Sequence, residues 1–214
     1  MISKAREAKL LAFIVGLLVI IGIGMSGLHY IRDSYNPGFE KYSTITFIHI
    51  VPGAIYLGLA PFQFIALIRR RWLNVHRIIG RTISALAIMV GITAFFMAIV
   101  FPFSGMLESI SVGIFATVFL YSIVQGLLKI RAGNIAHHRE WMLRAFALGL
   151  AIATSRIIFL PFFFALVNPT LEQVEVLFIT SFILAFSFHL ILAEIWIRRT
   201  REQKHNNYHH RQAD

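Results

Sequence analysis

His49, His76, His138, His189 and Arg156 stand inside or at the ends of long apolar runs. A polar side chain in such a place is costly and points to function by default. Imidazole can ligate iron or zinc, or hold a proton near neutral pH. Guanidinium cannot discharge itself and must find an acceptor. The chain has no cysteine, so disulfides, thiolate metal sites and cysteine nucleophiles are excluded and any metal chemistry must use imidazole. His76 is followed by Arg77 and Arg81, and His138 by Arg139 and Arg144. Each group opens an apolar segment, so imidazole, guanidinium and a positive helix end would converge where an anion is stabilised. Phospholipid head groups, haem propionates and phosphorylated ligands all have that chemistry, while a purely topological role for the charge is the alternative.

Depth separates these groups. At the rise of a helix, His49 falls about 7 Å below the outer surface, Arg156 about 16 Å and His189 about 22 Å, with His76 and His138 at the inner boundary. His49 and His189 are thus expected to be too far apart to ligate one metal ion directly. The carboxylates, Glu7, Asp33, Glu40, Glu108, Glu140, Glu172, Glu175, Glu194, Glu202 and Asp214, fall in loops, tails or helix ends. No acid is expected at the depth of Arg156, which should turn into the bundle, toward a polar cavity bordered by His49 and His189. The lack of mid-span acids also argues against a proton- or sodium-coupled transporter. His29 is expected at the outer interface, His137 to point away from His138, and His205, His209 and His210 to lie in a solvated tail where weak metal binding is the alternative reading.

The elements that must position these residues are membrane helices. Of 214 residues, 57% are hydrophobic and 14% charged, with mean hydropathy +0.73, which is not the composition of a soluble domain. The fold class is all-α, a polytopic helix bundle in one integral membrane domain. Crossing about 30 Å of hydrocarbon takes about 20 apolar residues, and six segments suffice, near 10–28, 45–68, 82–103, 109–128, 145–167 and 174–197. The first resembles a signal peptide's charged start, but its apolar run is too long for a signal core. The net charge of +10 is dispersed in short clusters between apolar runs, which excludes a nucleic-acid partner and leaves the lipid bilayer. Seventeen of the twenty lysines and arginines fall in the two ends and two alternate loops, against Arg32 and Lys41 on the other side. By the positive-inside rule both ends, including the basic 198–214 tail, are cytoplasmic, and the inner membrane is the expected location.

Offset by 62 positions, "QFIALIRRRWLNVHR" (63–77) aligns with "QGLLKIRAGNIAHHR" (125–139), matching Gln63 with Gln125, Arg69 with Arg131, His76 with His138 and Arg77 with Arg139. The second and third helices then read as a hairpin repeated in the fourth and fifth. The repeat places His76 and His138 at one depth. Pro52, Gly53 and Pro61 permit a kink near His49, because each proline removes a helix hydrogen bond.

With "GLAPFQFIALIRRRWLNVHRIIGR" and "HHREWMLRAFALGLAIATSR" in view, the chain resembles the bacterial multi-pass membrane proteins grouped as domain of unknown function 2306, over residues 45–165. The resemblance rests on His49, the Gln63 segment, His76-Arg77, Gly80-Arg81, His138, Trp141-Met142, Arg144 and Arg156, and departs at Ala60-Pro61, where a Gly-Pro pair is expected. It implies no reaction. A looser architectural similarity is to the b-type cytochromes of the b561 and ferric reductase kind. That similarity implies haem b held by two of His49, His76, His138 and His189, Arg156 as propionate partner, and electron exchange with a quinone or redox partner. Phe62, Phe64, Phe95, Phe96, Phe162, Phe163 and Phe164 would wall the cofactor. A non-enzymatic binder or transporter of a lipid or small anion, and a scaffold whose polar groups serve only packing, are the other classes.

Overall fold

The structure, a computed structural model, describes residues 4–28 and 37–213. Those residues form helices α1 (Lys4–Leu28), α2 (Pro37–Lys41), α3 (Ser43–Leu59), α4 (Ala66–Arg71), α5 (Leu73–Val100), α6 (Gly105–Arg131), α7 (Ile135–Ala165) and α8 (Leu171–Ala213), with a 3-10 turn over Ala60–Phe64. There is no strand among them. The reason is solvation, since in hydrocarbon each backbone N–H and C=O must be satisfied within the segment. Five helical segments are long and apolar enough to cross a membrane: Ser43–Phe64, Leu73–Val100, Gly105–Arg131, Ile135–Ala165 and Leu171–Gln203. In α1 the described apolar part is Lys9–Gly24.

Helix bounds exceed the expected spans. α5 begins at Leu73 rather than 82, α7 at Ile135 rather than 145, and α8 runs to Ala213 rather than 197. Hydropathy marks the thickness of hydrocarbon, whereas the helical hydrogen-bond ladder continues into polar surroundings. The kink expected near His49 is also displaced. α3 stays helical through Pro52, and the break comes at Pro61, in the 3-10 turn that ends at extended Ile65 (φ −72°, ψ 118°). The two segments of the expected repeat differ locally. Residues 63–81 pass through that turn, α4 and a bend at Trp72, whereas α6 runs unbroken to Arg131. It then reverses through Gly133 at φ +73°, a left-handed conformation that glycine adopts at little cost.

The helices α3, α5, α6, α7 and α1 pack in a ring, each against the next, with α1 touching both α7 and α3 to close it. α8 lies outside on α7 and α6. The core inside the ring includes Tyr56, Leu57, Ile83, Ala87, Phe119, Ile123, Ala145 and Leu148. Across the ring, the Tyr56 side chain of α3 reaches Gly149 of α7, where a Cβ would stand 2.7 Å from the Tyr56 ring. Tyr56 is 3% exposed and meets Phe119 edge-on at 5.8 Å, so it has no room to yield. Small residues at such contacts are how membrane helices pack without a hydrophobic drive. Around the outside, Phe13, Ile20, Ile92, Ile99, Phe162 and Phe188 are exposed, as lipid-facing positions should be. Basic residues gather at one end of the bundle, where α4 ends, α5 and α7 begin and α6 ends.

Candidate functional site

The half of the bundle away from that basic end holds a partly open cavity of about 250 Å³. Each ring helix contributes a wall, and α8 closes one side with Phe178, Phe182 and Phe186. Aromatic packing shapes that side: Phe182 stacks on Phe186 at 4.1 Å, and Phe115 of α6 meets both. Into this apolar space face four polar groups from three helices, His49 and Tyr56 from α3, Glu108 from α6 and Arg156 from α7.

The contacts of Thr93 favour one tautomer of His49. Its Nδ1 lies 2.9 Å from Thr93 Oγ1, and the Thr93 hydroxyl is itself within donating distance of the Met89 and Val90 carbonyls, at 2.8 and 3.1 Å. With the hydroxyl proton on a carbonyl, the threonine oxygen accepts from Nδ1–H, which leaves Nε2 of the neutral ring as an acceptor. Arg156 lies over the Phe178 ring at 5.5 Å, a favourable placement for guanidinium on an aromatic face. Among the described residues no carboxylate comes within ion-pair distance of it.

The expectation that no acid would stand near Arg156 is corrected. Glu108 lines the same cavity, and it is the charge that Arg156 feels. Its Oε2 accepts from the Ser104 N–H at 2.6 Å, so one oxygen ties down the start of α6. Hydropathy puts Glu108 in a loop just ahead of the fourth span, but α6 begins at Gly105 and carries it as a first-turn residue facing inward. An acid four residues after a serine at a helix start was the available signal. Thr93 and the α8 phenylalanines carried no signal of their own.

Other expected members are placed elsewhere. His189 is 8% exposed but does not line the cavity; its Nε2 pairs with Thr154 Oγ1 at 2.8 Å. Thr154 precedes Arg156 by two residues, and on a helix such neighbours project about 200° apart, so a histidine bonded to one faces away from the other. Of the phenylalanines expected to wall a cofactor, none lines the cavity: Phe62, Phe96, Phe162 and Phe164 are exposed, and Phe64 packs on Phe146 at 5.0 Å.

At the basic end, His76 and His138 are each the fourth residue of their helices and are electrostatic neighbours. His138 Nδ1 donates to the Gly126 carbonyl at 2.8 Å, while His76 Nδ1 is buried without a partner. His137, one residue before His138, is exposed and bonds Asn134 Oδ1 at 2.9 Å. Arg77, Arg81 and Arg139 are exposed. Arg144 leaves the anion-binding set, because Glu194 of α8 takes it in a two-point pair, at 2.5 and 3.0 Å, and Trp141 stacks on it at 4.3 Å. Among the described residues no three histidines or carboxylates form a group able to hold a metal ion. His29 and the outer-loop residues Arg32, Asp33 and Asn36 lie outside the described residues.

The family described as predicted membrane protein (DUF2306) matches residues 46–197. No curated protein and no solved structure matches the chain.

Proposed function

Because this chain belongs to the DUF2306 family of predicted membrane proteins, whose description names no reaction, we propose its function from the cavity: it is a membrane-embedded binder of a small amphipathic molecule. The supporting observation is Arg156, a permanently charged group facing an apolar cavity with no carboxylate in ion-pair contact. The ligand's polar end carries an oxygen that accepts from Arg156 and a hydroxyl that donates to Glu108 or His49 Nε2. Its apolar body lies against Phe178, Phe182 and Phe186. At about 250 Å³ the cavity is below the size of most ligand pockets, about 300 to 1,000 Å³, so it takes a head group and a short apolar segment. A haem between two histidines does not fit, since His49 is the one imidazole on the cavity wall.

The test is photolabelling of the purified protein in zwitterionic nanodiscs with a diazirine monoacylglycerol. Label is expected on 148–156 and 178–186, and Val112→Phe, which projects a ring into the cavity, should remove it. Label that is unchanged by Val112→Phe, or that is confined to the lipid-facing surface, refutes the reading.

On the same reading α1 supplies a sixth crossing, 63–81 and 125–144 descend from one duplicated hairpin, and the basic end faces the cytoplasm of a bacterial inner membrane. Support comes from the distribution of basic residues and the matching helix positions of His76 and His138. A reporter active only outside the cytoplasm, fused after Asp214, should be silent; activity there overturns the orientation.

A further inference from the structure

The basic end holds a second constellation, distinct from the cavity. His76 of α5 feels the charges of His138, Arg69 and Arg77, and Arg69 of α4 those of Arg139 and Arg70. Cationic or protonatable groups from α4, α5 and α7 are therefore gathered together. Burial first, and then the Arg139 and Arg70 charges, lower the pKa of Arg69, and among the described residues no carboxylate is in ion-pair contact with it. Of the described acids of this end, Glu194 pairs with Arg144 and Glu140 with Arg201, while Glu202 is exposed on α8.

Two buried polar atoms here also lack partners, Gln63 Nε2 and His76 Nδ1. Gln63 packs against α5 one turn from His76, its Oε1 3.2 Å from where a Cβ would stand at Gly80. Leaving a buried polar group unpaired costs about 1 to 3 kcal/mol, and charge that merely sets orientation does not require it. Every group in this cluster offers a proton or can take one up to do so, and among the described residues no carboxylate is in ion-pair contact with them. A phosphate oxygen is the complement, accepting charge-assisted bonds from guanidinium and protonated imidazole.

We propose that Arg69, His76, His138 and Arg139, with Gln63 beneath them, form a phosphate-binding cradle at the basic end of the bundle. The recognised group is a phosphate ester, which a lipid head group or a soluble phosphorylated molecule could supply. The test uses the full chain in phosphatidylcholine nanodiscs, with and without added phosphatidylglycerol. Retained lipid is counted by native mass spectrometry, and the thermal midpoint is followed against inorganic phosphate. Arg69→Gln/Arg139→Gln is compared with Arg198→Gln/Arg199→Gln, which removes equal charge from exposed positions on α8.

If the source is lipid, the parent and the α8 variant retain phosphatidylglycerol, and the cradle variant binds it at least about tenfold more weakly, as expected for losing charge-assisted bonds. If the source is soluble, phosphate raises the midpoint of the parent and the α8 variant but not of the cradle variant. Equal loss in the two variants shows diffuse charge only and overturns the cradle. So does a parent that neither retains the anionic lipid nor responds to phosphate.

Discussion

Glu108→Gln is expected to destabilise the protein by part of the about 2.5 to 3.5 kcal/mol that an uncompensated arginine costs at mid-span on the lenient scale, since Glu108 acts on Arg156 by its charge without ion-pair contact, whereas Arg156→Leu should leave stability nearly unchanged. The asymmetry follows from proton chemistry. Glu108 and Arg156 line one cavity, and each feels the other's charge. When the arginine is removed, the carboxyl can take a proton and become neutral; when the carboxylate is removed, the guanidinium cannot lose one. Glutamine is the informative replacement because its amide oxygen can still accept from the Ser104 N–H that Glu108 now holds. The start of α6 is then preserved while the charge is lost. The two variants should also differ in binding. Arg156→Leu abolishes labelling by the monoacylglycerol probe. Glu108→Gln gives the cavity a net positive charge and shifts its preference toward a fatty acid carboxylate. Unfolding in detergent micelles, followed by circular dichroism, measures the first effect and competition labelling the second. Equal destabilisation by both variants would show that Arg156 draws its compensation from solvent or head groups, and the amphipath site would fail with it.

Glu194→Leu is expected to cost about 2 kcal/mol. The figure lies between the 3 to 5 kcal/mol for breaking a buried pair and the 0 to 1 kcal/mol of an exposed one, since the Arg144 side chain is 13% exposed and that of Glu194 is 36%. The pair joins α7 to α8, the most extensive helix contact among the described residues. Breaking it from the acid side leaves Arg144 on Trp141 with no acceptor. The double variant Arg144→Leu/Glu194→Leu should recover most of the loss, because neither charge is then stranded. A double variant no more stable than Glu194→Leu would mean that the leucine itself disrupts packing.

Much of this was legible in the sequence. The helical class and membrane residence follow from run lengths of apolar residues, because the bilayer fixes both the length of a crossing and the need for internal backbone hydrogen bonds. The inward turn of Arg156 was legible for the same reason: a charge that cannot discharge has one affordable direction. That His76 and His138 lie at the basic ends of their helices was readable from the clusters that precede the apolar runs, whereas their first-turn positions were not, because the helices start at Leu73 and Ile135, well ahead of those runs. What only the tertiary structure decided is which residues meet. Depth along a helix can be counted, but rotation about its axis and the identity of the neighbouring helix depend on side-chain packing of distant segments. Glu108, 48 positions from Arg156, enters the cavity because the ring of helices brings the start of α6 beside α7, and no local pattern encodes that. His189, expected beside Arg156, is turned away because α8 meets the Thr154 side of α7 at that level. Glu194 captures Arg144 for a like reason, across helices whose separation in sequence hides their contact. Local chemistry determined what each residue must find, and the packing of the ring determined where it found it.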